Sequence, residues 1–166
     1  MTKVIKAVTA GAVGSLVMFV LTQLALLFHL VPFEVSPSAA FVIRIGLDVQ
    51  PAAILIHLVY GVFWSVVLVA SVEDRVKMYQ GLTLGLGLWL LMMLVIGPLI
   101  GWGFFGFGAS ENPTLPQLAL GDPLGYSVAT LILHLVYGLA VGIMNATWIE
   151  WPRRFETTEA SAGAGT

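Results

Sequence analysis

The sequence predicts an all-α integral membrane protein, a four-helix bundle assembled from two similar helix pairs. Three observations predict it. Hydrophobic residues make up 58% of the 166 positions and charged residues only 10%, against roughly 25% charged in a soluble domain, and mean hydropathy is +0.96. Four apolar stretches each reach the roughly 20 residues that a helix needs to cross about 30 Å of hydrocarbon. The pentapeptide His-Leu-Val-Tyr-Gly occurs twice, at His57–Gly61 and His134–Gly138, once in the second stretch and once in the fourth.

The first span is expected at residues 4–30, behind Lys3 and Lys6. Its apolar run is too long for the core of a secretory signal and lacks a small-x-small cleavage end, so it reads as a retained anchor. In the first outer loop, Ser38 to Leu47 suit a short interfacial helix. Phe41, Val42 and Ile45 share one face there, and Arg44 and Asp48 are spaced to pair one turn apart. The second span follows at 51–72, opened by Pro51, and the third at 76–100. After a loop rich in glycine and aromatics, the fourth covers 124–149, behind Pro123. A proline suits such starts because the N–H it lacks would have no helical partner there. Residues 1–152 thus form one bundle, and 153–166, rich in Ala, Gly, Ser and Thr beyond Glu156, are expected to be a disordered tail because they have little to bury.

Basic residues set the orientation, because they favour cytoplasmic loops. Lys3, Lys6, Arg75, Lys77, Arg153 and Arg154 fall on one side and only Arg44 on the other. The expectation is a multi-pass protein of the cell membrane with both termini and the tail in the cytoplasm. Trp148 and Trp151 would mark the inner interface, and Trp102, Phe104, Phe105 and Phe107 the outer one. The loop carrying these four is expected to cap the bundle.

The two pentapeptides are both preceded by three apolar residues, Ile54-Leu55-Ile56 and Leu131-Ile132-Leu133, and both lie on spans running inward. This predicts a two-plus-two parallel internal repeat with a pseudo-twofold axis along the membrane normal. Small residues four apart recur as Ala7, Gly11 and Ser15, as Gly61 and Ser65, as Gly81 and Gly85, and as Gly138, Gly142 and Ala146. In lipid such ladders let helix backbones approach closely, so a tight bundle is expected.

The candidate site residues are His57, Tyr60 and Gly61 with their equivalents His134, Tyr137 and Gly138. The spacing places each trio on one helix face. At about 1.5 Å per residue the two imidazoles come out nearly level in the outer half of the membrane, while His29 comes out at the outer rim. An ionisable group at that depth needs a partner or a cavity. Two imidazoles on separate helices, with glycine gaps beside them, are what a bis-histidine haem b site requires. They also suit hydrogen bonds across helix interfaces, or a metal or proton-handling role. These alternatives stand side by side.

Other chemistry is narrowed by what the chain lacks. It has no cysteine, and its formal charge of −2 includes no basic run of the kind nucleic acid needs. No span carries an Asp or Glu, the group many proton-coupled carriers use. Ser15, Ser65 and Ser127 have no identifiable triad partners, and Thr22, Gln23, Thr83, Thr130 and Asn145 suit interhelical hydrogen bonds. The expectation is not an enzyme but an accessory or scaffold subunit of a membrane assembly, in contact with the lipid bilayer and with partner subunits or copies of itself. A haem-carrying electron-transfer subunit and a small permeation or transport protein are the alternatives.

The glycine-bearing first span, the Pro32 to Val35 loop, the two His-Leu-Val-Tyr-Gly segments and the glycine- and phenylalanine-rich outer loop together resemble an uncharacterised prokaryotic family of small four-helix membrane proteins. The resemblance covers roughly residues 8–145. It implies a membrane location and four helices, and no activity or functional residue.

Overall fold

The computed structural model describes residues 2–47, 50–72, 76–108, 115 and 118–148. Four helical spans are long and apolar enough to cross a membrane, and no strand occurs among the described residues. In chain order the elements are α1 (Lys3–Leu27), α2 (Pro37–Arg44), α3 (Gln50–Ser71) and α4 (Met78–Leu91). A π-helical turn (Met92–Ile96) and α5 (Gly97–Ile100) complete the third span, a 3-10 turn (Phe104–Gly106) follows, and α6 (Pro123–Trp148) is the fourth span. The pair α1/α3 and the pair α4/α6 each pack closely, and α1 packs on α6 to join them. α3 and α4, though consecutive in sequence, approach little.

Glycine decides how close the helices come. A Cβ on Gly11 of α1 would lie 2.7 Å from Val62 Cα of α3, and one on Gly81 of α4 would lie 2.6 Å from Gly142 Cα of α6. Gly85 and Gly138 are equally closed, against the His134 carbonyl and Gly81 respectively. The expected small-residue ladders are therefore backbone seams within each helix pair. Apolar side chains add little drive for helices to associate in lipid, so this close packing, with hydrogen bonds between helices, supplies the association energy.

Those bonds are specific. Ser65 Oγ donates to the Ala7 carbonyl at 2.8 Å, Asn145 Nδ2 donates to Ser65 Oγ at 3.3 Å, and the Tyr137 hydroxyl donates to the Gly61 carbonyl. They tie α3 to α1 on one side and to α6 on the other. Asn145 thus makes the interhelical bond expected of it, whereas Thr130 turns back onto its own helix, donating to the Tyr126 carbonyl at 2.7 Å.

The spans depart from expectation in two places. α1 stops at Leu27 rather than Leu30, because His29 takes a left-handed φ of 53°. Its N–H then reaches the Leu26 carbonyl at 3.1 Å and that of Leu30 reaches Ala25 at 2.8 Å, closing the helix end. The third span is interrupted before Pro98, which has no N–H to give Leu94 and whose ring would crowd that carbonyl. The wider turn over Met92–Ile96, closed by a Gly97 N–H to Met92 carbonyl bond, absorbs the misfit.

The loop after α1 does form a helix. Ser36 caps α2 by accepting from the Ala39 N–H at 3.3 Å, and Pro37 occupies the first turn. The buried face is Ala39, Ala40 and Val42, while Ile45, expected on that face, is 52% exposed. Asp48, the expected partner of Arg44, lies outside the described residues.

Trp102, expected at the outer interface, is instead fully buried. Its indole N–H donates to the Leu118 carbonyl at 2.7 Å, and its ring meets Tyr126 edge-on at 5.0 Å. A large apolar ring carrying one donor is well placed in a core wherever a carbonyl can take that donor. With Phe33, Ile100, Leu118 and Leu120 it forms a cluster at the α2 end of the bundle. Phe104 and Phe107 are exposed, whereas Phe105 packs on Trp89 at 5.7 Å. Trp151 and the tail 153–166 lie outside the described residues.

Candidate functional site

The two histidines share a cavity. It has a volume of about 160 Å³ and lies at the α2 end, between α3 and the π-helical turn of the third span. His57, Ile56 and Tyr60 of α3 form one wall and Met92 and Ile96 the other, with Met18 of α1 and His134 of α6 between them. Pro37, Ser38 and Phe41 of α2 border it as well. The lining is almost wholly apolar, and the cavity is partly open to the surroundings. A narrower void of about 30 Å³ shares Met18, His57, Tyr60 and His134 with it and adds Ser15, Gly61, Leu88 and Tyr137.

The local sequence explains the positions. In α3, His57, Tyr60 and Gly61 fall on one face at helical spacing; Gly61 meets Ser15 of α1, which turns that face inward. In α6, Gly138 meets Gly81 and Gly85, Tyr137 is 2% exposed and His134 6%. The π-helical turn contributes Met92 and Ile96. Such turns occur often at functional sites, because they redirect side chains within a helix.

Each imidazole has one nitrogen committed. His57 Nε2 lies 3.1 Å from the Ser15 carbonyl, and His134 Nδ1 lies 2.7 Å from the Thr130 carbonyl on its own helix. A carbonyl can only accept, so both nitrogens carry hydrogen. The second nitrogens, His57 Nδ1 and His134 Nε2, have no hydrogen-bond partner among the described residues. Ser15 Oγ is also sealed without a partner among the described residues. The tyrosines differ from each other: Tyr137 reaches the Gly61 carbonyl, whereas Tyr60 meets the Trp64 ring edge-on at 6.2 Å.

This arrangement meets half the requirement of a bis-histidine haem b site. One nitrogen of each ring is held by a carbonyl, as axial histidines usually are, and the other is left over. Space is the missing half. The expected glycine gaps are filled, Gly61 by Ser15 and Tyr137 and Gly138 by Gly81 and Gly85. A cavity of about 160 Å³ matches one that takes a single benzene ring, far below a macrocycle. Among the described residues no group of three or more His, Asp or Glu side chains is placed to hold a metal ion.

Of the six residues expected at the site, His57, His134, Tyr60, Tyr137 and Gly61 line the cavity or its deeper void, and Gly138 belongs to a helix seam. His29 stands apart, exposed at the end of α1. Met18, Phe41, Met92 and Ile96 went unforeseen. Only the Gly97-Pro98 pair, a breaker inside an apolar run, signalled that the third span would bend at this level.

Compared with profiles of known families, with curated proteins and with solved structures, the chain matches none.

Proposed function

We propose that this chain is a non-enzymatic accessory subunit of a membrane assembly, held beside its partner by contacts within the bilayer. The observation that carries this reading is Gln23. It lies on the exposed face of α1, one turn inside the helix end, with Val20, Leu24 and Leu27 exposed around it. None of the described residues takes its amide in a hydrogen bond. An amide turned toward lipid gains by finding a polar group on a neighbouring helix, and α1 leaves this face uncovered for one.

The rival readings have less support. Haem b lacks room, as described above. A permeation path would need a polar route through the bundle, yet beyond the cavity Leu68, Leu88, Tyr137 and Val141 belong to one packed cluster.

The finer architecture belongs to the same proposal. In each half the glycine of His-Leu-Val-Tyr-Gly meets the preceding span, Gly61 at Ser15 and Gly138 at Gly81. This supports a two-plus-two parallel repeat. α2 lies at the end where the cell membrane's outer surface is proposed to be, in keeping with an interfacial helix. Lys3, Lys6 and Lys77 at the opposite end support cytoplasmic termini.

Purification in mild detergent from the native membrane tests the reading. A stoichiometric membrane partner, or a second copy, is expected to accompany the wild-type chain. Gln23→Leu is expected to weaken that association about threefold, the effect of a typical interhelical hydrogen bond of about 0.6 kcal/mol. A chain that stays alone, or an association indifferent to Gln23→Leu, would overturn it.

A further inference from the structure

We propose that the cavity between α3 and the third span is a binding site for a lipid-soluble aromatic ring bearing hydroxyl groups, a phenol or hydroquinone. The inference is independent of the accessory-subunit reading. It rests on the hydrogen-bonding sense of the two imidazoles, on the size of the cavity and on the apolar helix faces beside it.

The sense follows from the partners already described. Both histidines give a hydrogen to a carbonyl, His57 from Nε2 and His134 from Nδ1. A charged imidazole would be poorly placed here, since no Asp or Glu occurs in any span to balance it. Each ring is therefore neutral, and its second nitrogen is a lone pair. Two acceptors beside one cavity call for a ligand that donates. A carbonyl-bearing quinone offers only acceptors and leaves both lone pairs unmatched, whereas the reduced ring with two O–H groups, or a phenol with one, can satisfy them.

Size limits the rest. About 160 Å³ is close to the volume that holds one benzene ring. The walls suit such a ring, with Met18 and Met92 and the aromatic residues Phe41 and Tyr60 among the lining; sulfur and aromatic rings both attract an aromatic guest. Ser15 Oγ, 1% exposed and without a partner among the described residues, adds a polar group in the adjoining void. The cavity is partly open, and the helices that flank it, α3 and the third span, pack little on one another and expose Leu55, Val59, Leu94 and Val95. A ligand would enter sideways from lipid, and a hydrocarbon tail on the ring could remain there.

The test uses the full chain in nanodiscs, titrated under nitrogen with three probes and read by intrinsic tryptophan fluorescence and by retention on the disc. The probes are a short-tailed hydroquinone, its oxidised quinone and the same hydroquinone without its tail. The hydroquinone is expected to bind at least tenfold more tightly than the quinone, and His134→Leu is expected to reduce that preference by removing one of the two acceptors. Ile96→Trp fills the cavity from the third span without touching either imidazole's carbonyl bond and is expected to abolish binding while melting like the wild type. If the tail-less hydroquinone binds as well as the tailed one, the ring alone is recognised; if it binds more weakly, the ligand is a tailed membrane lipid. Equal binding of hydroquinone and quinone would overturn the acceptor assignment. Binding that survives Ile96→Trp, or no binding of any probe, would overturn the site.

Discussion

Tyr137 shows how one side chain ties the two helix pairs together. Its hydroxyl leaves α6 to meet the Gly61 carbonyl on α3, while its ring packs on Gly14 of α1, where an added Cβ would come within 3.3 Å. Tyr137→Phe keeps the packing and removes the bond. It should lower stability by about 0.6 kcal/mol and by no more than about 1.7, the range for hydrogen bonds between membrane helices, measured by reversible unfolding in detergent. Tyr60, its sequence equivalent, makes no such bond among the described residues and is only half-buried, so Tyr60→Phe should change stability much less. The sequence made these two tyrosines look alike. It could not show that one would face a carbonyl and the other a tryptophan, because that depends on which neighbour each helix meets, and a five-residue identity carries no information about neighbours. The histidines show the same limit: matching letters give His57 a bond across to α1 and His134 a bond back along α6.

At the scale of helices, glycines divide into those that make seams and those that do not. A Cβ on Gly138 would strike the Gly81 backbone, whereas one on Gly87 would meet nothing within 4 Å. Gly138→Ala should therefore destabilise the α4/α6 pair by about 1–3 kcal/mol, as overpacking does, while Gly87→Ala should be neutral or should stabilise by up to about 1 kcal/mol. Thermal melts of the two variants side by side provide the check. Much of this level was legible in advance. Spans of about 20 apolar residues fix helix number and placement to within a few positions, because bilayer thickness leaves little choice. The ladders of small residues marked the seams, because close approach demands a missing side chain. Trp102 was misplaced for an equally physical reason: an aromatic, glycine-rich loop beside a span suits both a membrane interface and a buried cap. The Leu118 carbonyl that settles the matter lies sixteen residues away.

For the whole molecule, orientation carries the clearest prediction. Single cysteines placed before Lys3 and after Arg154, in a chain that has none of its own, should both be shielded from an impermeant thiol reagent in intact cells and react after lysis. One at Gly121, where an added side chain would meet nothing within 4 Å, should react from outside. Opposite labelling of the two ends would remove the even number of crossings on which the two-pair architecture depends. The backbone seams have one more consequence. Where main chains touch, no layer of flexible side chains is left to slide or repack, so each helix pair behaves as a stiff plate. The gap between α3 and the third span lies between two such plates, so its width is set where the pairs meet, along α1 and α6. Only the side chains that line it, Met18 and Met92 among them, are left to adjust to a guest.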